Sequence, residues 1–374
     1  MELPSWVPGS DQGTRRDADG AGEQPPGAQG EEYAAAEEYQ EQPGAGEVSA
    51  REVSAREAGA GQAGAEQPGA GEARQQPRFP APAVIGPAPS FGPFLGPLPE
   101  SPAATAGLAV PDTVLDGAEF PGLTIRGASM RGDDHHARQE VRQDSMGMWR
   151  VWDGETAAIL LCAADGVGSQ PLSHLGAAHA CAALRSRAGR SVTQLLAASQ
   201  DGSLAELAAH VIGDICLAID EVARRLGVEP KALSTTLAAA LVEAGPATED
   251  ERRYLILNVG DATAFVLRDG EFVPCLGGSH DPNAPITSSG TWALPTAVGP
   301  VGTAVGTIGP RDMLMVCTDG MSNPMLNRDV RDQLARWWGG DTIPGLPEFG
   351  WQLSYRVRTF SDDRTAVCVW GRGQ

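Results

Sequence analysis

Two apolar, strand-like runs end abruptly in Asp-Gly: Ile159–Ala164 leads into Asp165–Gly166, and Met313–Thr318 into Asp319–Gly320. Tyr254–Val259 leads into Gly260–Asp261, Asp362–Asp363 precedes the apolar run Thr365–Trp370, and Asp144 precedes the apolar-rich stretch Met146–Trp152. Whatever this chain folds into must put carboxylates at the ends of buried strands. Desolvating one carboxylate is costly, and gathering several is prohibitive unless cations neutralise them. Carboxylate oxygens favour hard cations such as Mg²⁺ or Mn²⁺. The pattern implies a divalent-metal centre and hydrolytic chemistry.

The charge is unevenly spread. Residues 1–120 hold 19 Asp and Glu against 6 Arg, a net −13 of the chain's −20, which leaves −7 for residues 121–374. Nucleic acid is disfavoured as a partner, because a phosphate-binding surface needs clustered Lys and Arg. The six cysteines, Cys162, Cys181, Cys216, Cys275, Cys317 and Cys368, form no CxxC pair. Three of them lie inside apolar strands, where Cys acts as a small hydrophobe. Neither a zinc site nor a disulfide framework is expected, and a reducing, cytoplasmic setting fits. No apolar run approaches the ~20 residues of a membrane span. Met1–Ser10 lacks a basic start followed by an apolar core, so no secretory signal is expected. A monomer is expected.

Residues 1–118 are rich in Gly, Pro, Ala, Glu and Gln, with EQPGAGE at 41–47 and again at 66–72, and EVSAR at 47–51 and again at 52–56. Such a composition cannot bury enough apolar surface to offset chain entropy, so an acidic disordered tail is expected over 1–118. Within it, Phe79–Leu98 carries Phe79, Val84, Ile85, Phe91, Phe94, Leu95 and Leu98 in a Pro/Gly-rich frame. That stretch reads either as an extended docking segment or as a semi-rigid spacer. Residues 119–374 read as one globular catalytic domain. Met148–Trp152 and Thr156–Ala164 predict strands around an Asp153–Gly154 turn, and Arg268–Asp269–Gly270 predicts a second hairpin turn. Leu172–Arg187 and Leu204–Leu226 predict helices; the second repeats apolar residues at helical spacing. Long helices among hairpin-linked strands predict an α+β fold with antiparallel sheets.

Several motifs run in order along residues 124–372. They are Gly132-x-x-His135 with Gln143–Asp144, Ala163–Ser169, Leu172–Ala177, Ser234–Leu237, Val259–Ala262, Thr318–Ser322 and Asp362–Thr365. In that order they resemble the type 2C metal-dependent Ser/Thr protein phosphatases, and a bacterial subgroup in particular. The resemblance implies two packed antiparallel sheets flanked by helices, a four-layer αββα sandwich. It implies that Asp165 bridges two Mn²⁺ or Mg²⁺ ions, with the Gly166 carbonyl, Asp319 and Asp362 as further ligands. It implies that Asp144 holds a metal-bound water and that Asp261 helps bind a third ion. Two ions sharing a carboxylate lower the pKa of a bridging water and neutralise phosphoryl charge. The implied partners are proteins bearing phosphoserine or phosphothreonine.

The chain departs from the family pattern at two places. Many members carry His after the Asp-Gly, where this chain has Val167, and Arg five residues before the first Asp, where it has Gln139. Arg138 or Arg142 could replace the arginine. His135 is a candidate proton donor or phosphate contact, and the alternative is a structural loop histidine. These departures leave open a second reading: a pseudophosphatase that keeps the fold and binds phosphorylated partners.

Overall fold

The computed structural model describes residues 82–87, 110–244, 251–276, 292–296 and 298–372. All of them belong to one compact unit, Gln75–Gln374. The tail expected over 1–118 lies outside the described residues apart from 82–87 and 110–118.

In chain order the elements are β1 (Thr113–Phe120), β2 (Leu123–Met130), α1 (Asp133–Arg138), β3 (Ser145–Trp152), β4 (Ala157–Ala164) and α2 (Ser173–Ala188). Next come α3 (Val192–Asp201), α4 (Leu204–Leu226), β5 (Leu237–Glu243), β6 (Arg252–Val259), β7 (Thr263–Arg268) and β8 (Glu271–Pro274). The last are β9 (Gly302–Ile308), β10 (Met313–Cys317), α5 (Asp319–Ser322), α6 (Arg328–Trp338), α7 (Leu346–Leu353) and β11 (Arg364–Gly371). One sheet has the order β3-β4-β5-β6-β9 and the other β1-β2-β11-β10-β7-β8. Every strand pair named in these sheets is antiparallel. Two antiparallel sheets with flanking helices are the architecture expected from the motifs.

The unbroken apolar runs have a simple origin. Along β4, Ile159, Leu161 and Ala163 face the other sheet, while Leu160, Cys162 and Ala164 face α2, α3 and α4. β10 and β11 behave alike, with Leu314, Val316, Val367 and Val369 between the sheets. Their alternate residues, including Met315, Cys317 and Cys368, pack beneath α6 and α7. Period-2 alternation sends each strand into two cores at once, so no polar position is tolerated until the strand ends. Trp338 and Phe349 from the outer helices meet Trp370 of β11, and the Trp338 indole N–H donates to Gln352 Oε1 at 2.8 Å.

Turn chemistry fixes the ends away from the strand-end aspartates. Between β7 and β8, Asp269 and Gly270 both take positive φ (52° and 80°), as a tight right-twisted hairpin requires. Between β3 and β4, the Asp153 carboxylate accepts the backbone N–H of Thr156 at 3.0 Å and that of Thr193 at 2.6 Å. Thr193 is in the first turn of α3, whose own Ser191 makes no side-chain cap, so a remote turn residue caps that helix. These bonds, the one from Thr193 foremost, pull the Asp153 carboxyl far below the ordinary range. Among the described residues no helix is long and apolar enough to cross a membrane.

Leu161 is fully buried between the sheets. Leu161→Ala is expected to cost about 3 kcal/mol of unfolding free energy, read from the midpoint of a urea titration.

Candidate metal centre

Strand register brings the aspartates together. Ser145 pairs with Ala164, so Asp144, just before β3, and Asp165, just after β4, meet at one end of their sheet. In the other sheet Cys317 pairs with both Thr263 and Ala366. Asp261, Asp319 and Asp362 flank those residues at a single end. The two ends coincide: Thr318 Oγ1, from one sheet, donates to Asp144 Oδ2, from the other, at 2.8 Å. The structure thus gathers Asp144, Asp165, Asp261, Asp319 and Asp362 around one mouth, within electrostatic reach of one another.

Backbone bonds hold each segment. The Asp165 carbonyl accepts Thr236 N–H and the Thr235 hydroxyl, both at 2.8 Å, which explains the Ser234–Leu237 motif. A side chain on Gly166 would collide with the Gln143 carbonyl at 2.9 Å, and one on Gly320 with the Asp363 carbonyl at 1.8 Å. Those glycines are needed because ligand-bearing segments abut there backbone to backbone.

Asp363 has a role that sequence reading did not assign. Its Oδ1 accepts the N–H of Gly132 at 2.7 Å and its Oδ2 that of Gln143 at 2.5 Å. His135 Nδ1 lies 2.8 Å from the same Oδ1. Both oxygens face N–H donors, a need that an asparagine amide meets with only one of its two terminal atoms. The only sequence signal was the doubled Asp362–Asp363.

The basic residues are less available than the sequence suggested. Arg142 is buried: its Nη1 donates to Ser129 Oγ at 2.7 Å and to the Asp144 carbonyl, and its Nε to the Pro111 carbonyl at 3.1 Å. It braces the mouth from beneath. Arg138 is half exposed and pairs with Asp134. Gln139 closes α1 in the left-handed region, φ 58°. The His135 side chain is 6% exposed, with Nδ1 4.0 Å from Asp362 Oδ1 and Nε2 3.7 Å from Glu140 Oε2. Burial works to lower its pKa, but Asp363, Asp362 and Glu140 outweigh it and leave the imidazole raised. Ligand atoms of His135, Asp362 and Asp363 lie within 4.8 Å of one another, although the Asp363 oxygens are already engaged by N–H donors.

Burial and mutual repulsion push the carboxyls upward. Asp165 is raised well above its ordinary value by desolvation and then by Asp144, Asp319, Asp362 and Asp261. Asp144 is raised by desolvation and then by Asp363, against hydrogen bonds from Thr365 and Thr318. Asp319 is pushed up to about 6 by desolvation and then by Asp261 and Asp362. Asp362 is raised by desolvation and then by Asp363, against His135, although its side chain keeps 55% of its surface.

A two-sheet sandwich with carboxylates collected at one mouth is the plan of a metal-dependent phosphatase. The protein phosphatase 2C family model matches residues 131–341 of the 374, and the chain belongs to that family of Ser/Thr phosphatases. The match ends before Asp362, whose place in the cluster rests on the pairing of β10 with β11. Three solved structures are similar to the chain. Serine/threonine phosphatase Stp1 from Staphylococcus aureus is 16% identical with a TM-score of 0.47, covering 69% of this chain and 100% of that one. The Mycobacterium tuberculosis serine/threonine phosphatase PstP is 19% identical with a TM-score of 0.44, covering 67% and 99%. The catalytic domain of PstP in complex with two manganese ions is 20% identical with a TM-score of 0.41, covering 67% and 99%. No curated protein matches the chain.

A carboxyl with a raised folded pKa binds its proton more tightly in the folded state. Its stabilising contribution is present at low pH and is lost as pH rises through the folded value, about 6 for Asp319. The metal-free chain is therefore expected to melt at progressively lower temperature from about pH 4 to about pH 6.5. Asp319→Asn should flatten that slope; thermal melts in EDTA measure both.

Proposed function

We propose that this chain hydrolyses phosphoserine and phosphothreonine on proteins, with two divalent ions, Mn²⁺ or Mg²⁺, held at the acidic mouth. The observation that carries this reading is the convergence of five carboxylates, four of which, Asp144, Asp165, Asp319 and Asp362, are pushed toward protonation by burial and neighbouring carboxylates. A donor set made wholly of oxygens suits hard cations, and divalent charge relieves the repulsion that the bare cluster suffers. In this reading Asp165, the Gly166 carbonyl, Asp319 and Asp362 would hold the two ions, and Asp261 with Asp319 would hold a third. Ions bound there supply an acidified water and charge neutralisation for the phosphoryl oxygens.

The remaining work falls to the chain's own groups. Hydrogen bonds from Thr318 and Thr365 hold the Asp144 carboxylate in place beside Asp165, where it would orient a water. Thr235 and Thr236 hold the Asp165 backbone, so its carboxylate is set before substrate arrives. Val167 places an apolar side chain where many relatives have a proton donor. Leaving groups that need no proton should therefore fare relatively well. His135, enclosed by Asp363 and Glu140, is better placed to orient the Asp362–Asp363 segment than to reach a leaving group. The binding-only reading draws on Gln139 and on the engagement of Arg142. It fails if purified chain turns over substrate.

Asp165→Asn is expected to cut Mn²⁺-dependent release of p-nitrophenol from p-nitrophenyl phosphate by on the order of 10³-fold or more, with the fold intact by circular dichroism. EDTA should do the same to the native chain. Full activity in either case would defeat the metal reading.

His135→Asn is expected to raise the Mn²⁺ concentration needed for half-maximal rate by about 10–100-fold, the scale of losing a group that orients a ligand. Losses should be equal on p-nitrophenyl phosphate and on a phosphothreonine peptide. A larger loss on the peptide would instead make His135 the general acid.

A further inference from the structure

Residues 82–87, PAVIGP, lie as a short strand against the loop between α7 and β11. Val84 pairs in parallel with Arg356. Arg356 N–H donates to the Ala83 carbonyl at 2.7 Å, and Ile85 N–H to the Arg356 carbonyl at 3.0 Å. The side chains alternate as a strand demands: Val84 is 51% exposed and Ile85 8%. Ile85 enters the core beneath the outer helices, in the cluster that holds Met325, Trp338, Tyr355 and Val357. Pro82 and Pro87 lack the N–H needed to lengthen the ladder, so the segment carries its own stop signals.

The partner loop leads directly to the metal mouth. The Arg356 guanidinium pairs with Asp133 of α1, with Nε at 2.9 Å and Nη2 at 2.5 Å. Asp134 N–H donates to the Ser361 carbonyl at 3.0 Å, one residue before Asp362. α1 also carries His135, which lies against Asp363. Pro82 and Asp362 both line one cavity of about 480 Å³, together with Arg131, Arg356 and Arg358.

We propose that the Arg356 edge is a peptide-docking groove whose occupant is the chain's own Pro82–Pro87 segment, and that its occupancy sets the order of the loop bearing Asp362. The groove recognises an extended apolar segment by strand addition: two main-chain bonds, one buried aliphatic side chain at Ile85, and prolines that bound it. Two bonds and one side chain make a reversible latch rather than a permanent strand. The tail is thereby coupled to catalysis, because whatever pulls residues 82–87 away loosens Arg356, and Arg356 secures both α1 and the approach to Asp362. The consequence for metal binding rests on the reading of Asp362 as a ligand; the docking does not.

The test uses the full chain carrying Ile85→Asp, with Val84→Asp as the control on the exposed face and Ile85→Ala as a milder variant. Two quantities are read: hydrogen–deuterium exchange over residues 354–363, and the Mn²⁺ concentration for half-maximal p-nitrophenyl phosphate hydrolysis. Ile85→Asp should speed exchange at Arg356 about tenfold and raise the Mn²⁺ requirement several-fold, Ile85→Ala should do less of both, and Val84→Asp should match the native chain. A synthetic peptide of residues 79–90 added to the Ile85→Asp chain should restore protection. Faster exchange with an unchanged Mn²⁺ requirement would support the docking and count against Asp362 as a ligand. Native exchange in Ile85→Asp, or the same loss in Val84→Asp, would overturn the proposal.

Discussion

Carboxylate repulsion is the constraint on which the rest of this structure depends. Asp144, Asp165, Asp319 and Asp362 raise one another's affinity for protons, and burial adds to the effect. No polypeptide collects such a group for stability, since each uncompensated buried charge is a loss. Much of the surrounding architecture serves to hold the group in spite of that loss. Thr235 and Thr236 clamp the Asp165 backbone, Asp363 ties Gly132 to Gln143, and Arg142 braces the Asp144 carbonyl from below. On the proposed reading, divalent ions give the arrangement its purpose.

What the sequence disclosed follows from which physics is local. Strands β4 and β10 were legible because double-sided burial strips them of polar residues, and the carboxylate then marks the strand end. α4 was legible because its apolar residues recur at helical spacing over six turns. β5 was hidden: LAAALVE reads as easily as helix, and its alanines suit a place between β4 and β6 in a sheet covered on both faces. α6 was hidden because only Val330, Leu334 and Trp338 of its eleven residues are buried, too narrow a stripe to stand out. The five aspartates could be picked out one by one, but their convergence depends on strand register, which is set by distant pairing.

The second layer of the mouth was the least legible part. Asp363 looks like a neighbour of the ligand position, yet it ties the Gly132–His135 segment to Gln143. Arg142 has the charge for a phosphate contact, but it is buried, with its Nε and Nη1 donors engaged by Pro111, Ser129 and Asp144. Most of these partners lie on other elements, some more than two hundred residues away, and no local pattern encodes them. The short PAVIGP strand belongs to the same category: its alternation covers too few residues to register as periodicity, and its meaning comes from Arg356.

The Thr318–Asp144 bond crosses from one sheet to the other at the lip of the mouth. On the proposed reading, the cation site is therefore not a property of either sheet; it exists only while the two are docked at the right separation. Any ion taken there favours the docked sandwich over looser arrangements, and by thermodynamic linkage the docked sandwich favours the ion in equal measure. Side-chain volumes deep in the inter-sheet layer, such as those of Ala240, Leu314 and Val367, would then tune cation affinity from a distance. The hydrophobic core would itself be part of the chelator.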